Sequence, residues 1–129
     1  MNREINPASI APPAANYAHA VLSEHADALL HVSGVVAARP DGTVPDDVAD
    51  QASVIWSNIA AILAEAGMAI ADIVSITTYV VVDFMACLPE VMSARDQALN
   101  GHRAASTLVS VPALARPAWK MEIAVIAAR

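Results

Sequence analysis

The run from Ile70 to Val82, IADIVSITTYVVV, restricts the possible folds of this chain more than any other segment. Its β-branched residues favour extended backbone, and it reads as a strand that starts near Ile73. Successive strand residues point to opposite faces, which places Ile73, Ser75, Thr77, Tyr79 and Val81 on one side and Val74, Ile76, Thr78, Val80 and Val82 on the other. Both sets are apolar or small and uncharged. A strand of this kind belongs inside a sheet whose two faces are both covered.

The cover for one face is legible on either side of that strand. From Asp47 to Ala66, Val48, Ala52, Ile55, Trp56, Ile59, Ile62 and Leu63 recur at the spacing of an amphipathic helix, with Gly67 as its stop. A second helix follows Asp83, with Phe84, Cys87, Leu88, Val91, Met92, Arg95 and Leu99 in register and Gly101 as its end. Pro89 falls in its second turn, which allows a start a few residues after Asp83. Behind a Pro-rich lead-in, Tyr17–Leu22 and Ala28–Val36 read as antiparallel strands joined by the polar loop SEHAD. RPDGTVPD, Arg39–Asp46, turns the chain into the first helix. Arg103–Arg129 reads as two strands joined by a Pro-bearing loop.

The order β-β-α-β-α-β-β over residues 1–129 describes one α+β domain, a single sheet with two helices on one face. Two helices cover one face only. The second, semi-apolar face therefore calls for a further copy of the chain, a homo-oligomer.

Charge narrows the function classes. Seven Lys and Arg against thirteen Asp and Glu give a net charge of −6, and the cations are scattered singly. That pattern offers no electrostatic footprint for a nucleic-acid partner. No apolar run reaches a membrane span, the first residues lack a signal-peptide pattern, and the single Cys87 has no disulfide partner. These features predict a cytoplasmic location with no membrane partner. His19, His25, His31 and His102 lack metal-ligand spacing, so no metal is expected.

Four segments, in this order, carry a family resemblance: PPAANYAHAV, HVSGVV, QASVIWSNIAAILAEAGMAIADIVSITTYVVVDF, and RAASTLVSV with MEIAVIAA. Together they resemble the Rid family, the reactive intermediate deaminases, also called YjgF or L-PSP. The resemblance implies a chorismate-mutase-like α+β fold, a homotrimer with ligand clefts between subunits, and cofactor-free hydrolysis of 2-imino or enamine acids to 2-keto acids and ammonia.

Carried over position by position, Tyr17 matches the family's pocket tyrosine, and Ser33 with Gly34 matches its Ser-Gly turn. Counting back from Val109 and Val111, the substrate-binding Arg of the family falls on Ser106. The pocket Cys or Thr falls on Leu108, the Asn at the start of the second helix on Leu88, and the second C-terminal Glu on Ala124, while Glu122 matches the first. Arg103 matches a non-catalytic family arginine.

The missing Arg holds a carboxylate through two parallel charge-assisted bonds, which Ser106 cannot make. The ligand-binding candidates are therefore Tyr17, Ser33, Gly34, Leu88, Ser106 and Leu108, with Tyr17 and Ser106 the candidate catalytic groups. They describe an apolar interfacial cleft for a small, neutral or weakly polar molecule, with poor 2-iminobutanoate hydrolysis. Hydrolysis of an unusual imine or enamine is one use of such a cleft, and a non-catalytic small-molecule sensor is the other. Arg103 is at odd spacing from Ser106 and Arg116 lies in a surface loop, so neither is placed to restore the cation. Glu122 reads as the partner of a Lys or Arg across the sheet, Cys87 as a buried, inert thiol, and His31 as a residue on the face of Ser33.

Overall fold

A computed structural model describes residues 1–129. The elements are β1 (Asn2–Ile5), β2 (Ala20–Ser23), β3 (Leu29–Val35), α1 (Val48–Glu65), β4 (Ile73–Val81), α2 (Leu88–Leu99), β5 (Ala105–Val111) and β6 (Met121–Ala128). The main sheet has the order β3-β6-β4-β5, with β4 parallel to β5 and antiparallel to β6. The charge-free strand sits inside the sheet, as its two apolar faces require. No helix is long and apolar enough to cross a membrane.

Both helices pack on one face of this sheet. Ile55, Ile59 and Leu63 of α1 and Val91 and Leu99 of α2 meet Ile76 and Val80 of β4 and Met121, Ile123 and Val125 of β6 in one buried cluster. Removing an aliphatic side chain of this size from water contributes roughly 1.5–3 kcal/mol. The opposite face, which includes Ser75, Thr77 and Tyr79 of β4 and Glu122, Ala124 and Ile126 of β6, is only half-buried.

Local chemistry sets the ends of α1. The Asp47 carboxylate accepts from the Asp50 N–H at 3.2 Å, an N-cap. At the other end Gly67, at φ 69°, donates to Ala64 O, and Met68 donates to Leu63 O at 2.8 Å. This pair of bonds is a Schellman motif, with Met68 and Leu63 both in the core. Between β3 and α1, Asp41 accepts from the Thr43 hydroxyl at 2.7 Å and from its N–H at 2.9 Å. These bonds, the hydroxyl's first, hold the Asp41 carboxyl below the usual range.

Several sequence expectations change. Ile62 is 37% exposed, whereas Gln51, absent from the apolar stripe, is fully buried. Its amide donates to Pro45 O at 2.8 Å and Ala118 O at 2.9 Å and accepts from the Lys120 N–H at 3.1 Å. A 3-10 turn, Val82–Cys87, precedes α2, which starts at Leu88 with Pro89 in its first turn, where a missing N–H costs nothing. Asn100, at φ 45°, and Gly101, at φ 88°, end it.

The expected hairpin of Tyr17–Leu22 with Ala28–Val36 does not form. β2 pairs instead with the N-terminal strand β1, and β3 pairs with β6. The terminal amine donates to Glu24 O at 2.7 Å and the Glu24 N–H to Met1 O at 2.9 Å, which clamps β1 on β2. SEHAD is a turn, with His25 at φ 54°, but it delivers β3 to a different partner because Leu30, Val32 and Val35 pack against the main core.

Replacement of Gln51 by Ala orphans two carbonyls and one N–H in a buried site and is expected to lower unfolding free energy by on the order of 3 kcal/mol. Urea denaturation of both proteins measures it, and a loss below the experimental scatter contradicts the role assigned to Gln51.

Candidate functional site

The candidate residues fall into two groups on opposite edges of the main sheet. The first is built by β3 and β6. Val32 pairs with Val125 and Val35 with Ile123, so three steps on β3 match two on β6, and Ser33-Gly34 forms a bulge. The bulge brings the Gly34 backbone against Glu122. A Cβ at Gly34 would lie 2.3 Å from Glu122 Oε2 and 2.6 Å from its Cδ. Any other residue there would require the Glu122 side chain to shift.

Glu122 alternates with the buried Ile123 and so projects to the face away from the helices. Its cross-strand neighbour is Tyr79, not the Lys or Arg that cross-strand pairing led us to expect. The ion pairs of the chain are Arg3–Glu24, Arg95–Asp96 and Arg103–Glu4, and none includes Glu122. On the same face, exposed His31 lines a hollow of about 240 Å³ with Ser75, Thr77, Ala124 and Ile126.

The second group surrounds β5. Ser106 pairs with Ile76 and Leu108 with Thr78, so both point to the helix side. At this outer strand Ser106 is half-buried and Leu108 is 37% exposed. Tyr17 stands beside the start of β5, because Ala18 bridges to Ala105 and donates to Ala104 O at 3.0 Å. The Tyr17 hydroxyl accepts from the Ala14 N–H at 3.3 Å, and its ring meets His19 edge-on at 6.0 Å. Leu88, half-buried, opens α2.

β3 and β5 are separated by β6 and β4. β3 is three strand spacings, about 14 Å, from β5, and Glu122 on β6 is two, about 10 Å; Glu122 also faces away from the helices whereas Ser106 and Leu108 face them, so one small molecule does not meet both groups within one chain. Within one chain the structure joins Ser33 and Gly34 with Glu122, and Tyr17 with the neighbourhood of Ser106, but not one set with the other.

The arginines do not reach either group. Arg103 precedes β5 rather than alternating along it, and binds Glu4 at 3.0 Å. The Arg116 guanidinium lies 5.4 Å from the Trp119 ring. Cys87 ends the 3-10 turn, half-buried against the core. Two histidines have main-chain partners, His19 Nε2 with Ala11 O and His102 Nε2 with Ile73 O, each at 2.7 Å.

Comparison with known families gives a match over residues 8–129 to the family described as endoribonuclease L-PSP. The chain belongs to this family. Among solved structures, it is similar to YyfB of the conserved Rid protein family from Yersinia pestis, at 30% identity and a TM-score of 0.90, covering 99% of this chain and 98% of that one. It is also similar to E. coli TdcF with bound serine, at 26% identity and a TM-score of 0.72 over 96% and 93% of the two chains. Rv2704 from Mycobacterium tuberculosis, of the YjgF/YER057c/UK114 family, matches at 26% identity, a TM-score of 0.68 and full coverage of both. No curated protein matches the chain in sequence.

For this L-PSP family member, sequence reasoning assigns Glu122 a structural role rather than a place in the site. The signal that marks it was present: it is the only Asp, Glu, Lys or Arg in β3, β4, β5 and β6. A lone charge in an otherwise uncharged sheet is expensive unless solvent or a partner meets it.

Gly34→Ala is expected to cost about 1 kcal/mol or less, because the Cβ meets only the flexible, half-buried Glu122 side chain, which turns aside. In the Glu122→Ala background the same change should cost far less. A double-mutant cycle by thermal or urea denaturation tests the contact, and strictly additive effects would refute it.

Proposed function

We propose that this protein is a Rid-type homotrimer whose clefts lie between copies, where the β3–β6 group of one chain faces the β5 group of the next. The separation of the two groups across one sheet carries this reading. A ligand small enough for cofactor-free imine chemistry meets both only if two chains contribute. The edges support the same arrangement: neither β3 nor β5 carries a charged residue, and Leu29, Leu108 and Val109 are exposed on them at 58%, 37% and 37%. Apart from the Ala18–Ala105 bridge at the start of β5, such edges are ready to pair or pack. A contact between two different edges is head-to-tail, and it forms a closed ring when the rotation from copy to copy is one third of a turn.

Such a cleft binds a small metabolite and hydrolyses an imine or enamine. Addition of water to C=N depends on positioning and one proton donor, and the hydroxyls of Tyr17 and Ser106 stand on the β5 side. The serine bound in TdcF indicates the ligand size that this fold accepts. The ligand here differs in kind. With Ser106 on β5 and Leu88 and Leu108 as apolar lining, no guanidinium in the strands grips a carboxylate. The net charge of −6 and the absence of Lys and Arg from the four sheet strands argue against RNA as the substrate.

Sedimentation equilibrium should return three times the 13.4 kDa chain mass. A monomer would sink the two-chain cleft. Hydrolysis of 2-iminobutanoate should run on the order of a hundredfold or more below relatives that keep the arginine, and Ser106→Arg should raise it. Equal rates for the natural chain and those relatives would contradict the role given to Ser106. Thermal stabilisation by a metabolite without turnover of any imine would favour a sensor over an enzyme.

A further inference from the structure

We infer that the hollow at the C-terminal ends of β4 and β5 is a second binding site, for a small zwitterion with an apolar body, whose anion meets Arg116 and whose cation meets Asp83. One chain supplies every residue of this site, so it does not depend on the two-chain cleft proposed above.

The hollow, of about 480 Å³, opens between the 3-10 turn that follows β4 and the loop that joins β5 to β6. None of the candidate residues in the two groups described above lines it. Phe84, Leu114 and Trp119 form its apolar walls, each half-buried.

The loop is fixed before any ligand arrives. Pro112 and Pro117 lock φ at two points of the rim. The Trp119 N–H donates to Arg116 O at 3.1 Å, which closes a turn and sets the Arg116 guanidinium 5.4 Å from the indole ring. The buried Gln51 amide holds Ala118 O at 2.9 Å and the Lys120 N–H at 3.1 Å, and the Val81 N–H donates to Lys120 O at 3.0 Å. A rim anchored in this way loses little freedom on binding.

The charges of the hollow indicate what it takes. Of the seven Lys and Arg residues, all but Arg116 have polar partners. Arg3, Arg95 and Arg103 pair with carboxylates, Arg39 donates to the Thr43 hydroxyl, Arg129 to Gly67 O and Lys120 to Asp46 O. Arg116 has only the Trp119 ring, which orients the guanidinium and leaves its N–H fork free. Asp83 lines the same hollow and takes part in no ion pair. Opposite charges that share a hollow without pairing leave room for a ligand to bridge them. The fork accommodates a carboxylate through two parallel hydrogen bonds, Asp83 accepts from an ammonium, and the three apolar walls take the hydrocarbon between. A plain anion would meet Asp83 as a like charge, and a plain cation would meet Arg116, so the pair favours both charges on one molecule.

The test uses three probes of nearly equal shape: phenylalanine, phenylpropionate, which lacks the ammonium, and phenethylammonium, which lacks the carboxylate. Calorimetry measures their binding to the natural chain, Arg116→Gln, Asp83→Asn and Tyr17→Phe. Arg116 and Asp83 are exposed, so their variants should keep the natural thermal midpoint. The natural chain should bind phenylalanine about tenfold or more tightly than either singly charged probe, the ratio a charge-assisted bond supports. Arg116→Gln should lower phenylalanine to the level of phenethylammonium, and Asp83→Asn should lower it to the level of phenylpropionate. Tyr17→Phe, a change in the cleft, should leave all three affinities in place. Equal affinity of the natural chain for the three probes, or binding of none, overturns the site. So does a preference that survives both Arg116→Gln and Asp83→Asn. Loss of phenylalanine binding with Tyr17→Phe instead assigns the ligand to the cleft and overturns the second site while the cleft stands.

Discussion

The whole arrangement depends on an uncharged strand paired on both sides. β4 takes β6 as its antiparallel neighbour and β5 as its parallel one, and Ile76 and Val80 anchor the core beneath the helices. A parallel neighbour requires a crossover, and α2 supplies it between β4 and β5, while α1 links β3 to β4. With both helices used as connections on one face, the other face of the sheet remains without cover from the chain's own helices. The position of β4 therefore fixes where the core lies and which surface is left for other contacts.

The same strand order separates the functional candidates. Ser33, Gly34 and Glu122 lie on the β3–β6 side, and Ser106, Leu108 and Tyr17 on the β5 side, with β4 between them. Each side alone presents half of the site we propose. Their chemistry is complementary: a carboxylate held on a glycine bulge at one edge, small hydroxyls and aliphatic lining at the other. Family membership explains the fold in which these two groups occur.

Much of the fold was legible because its signals are local. The helix expected over Asp47–Ala66 is Val48–Glu65, since a carboxylate cap and a left-handed glycine act within a few residues of the ends they define. The strand expected from Ile73 is β4, because β-branched residues on both faces suit few other settings. Partner choice was less legible. SEHAD announces a turn, yet cannot show that β2 returns to Met1–Ile5 while β3 continues to β6. Gln51 was missed for a related reason: its polarity suggests solvent, and only the distant Ala118 and Lys120 make its burial favourable. Ile62, by contrast, follows the apolar period but lies at the edge of the stripe, where the sheet no longer covers it.

Sequence alone determined both ends of α1 and the end of α2, the uncharged inner strand, the family and the absence of a guanidinium at position 106, because each depends on residue type or on neighbours close along the chain. Tertiary structure decided the pairing of β1 with β2, the placement of Glu122 on Gly34 beside Tyr79, the capture of Arg103 by Glu4 and the division of the candidate residues between the two sides of the sheet. Those outcomes depend on which distant segments meet. A lone glutamate in a strand reads the same whether an arginine or a glycine lies against it, and only the folded chain distinguishes the two.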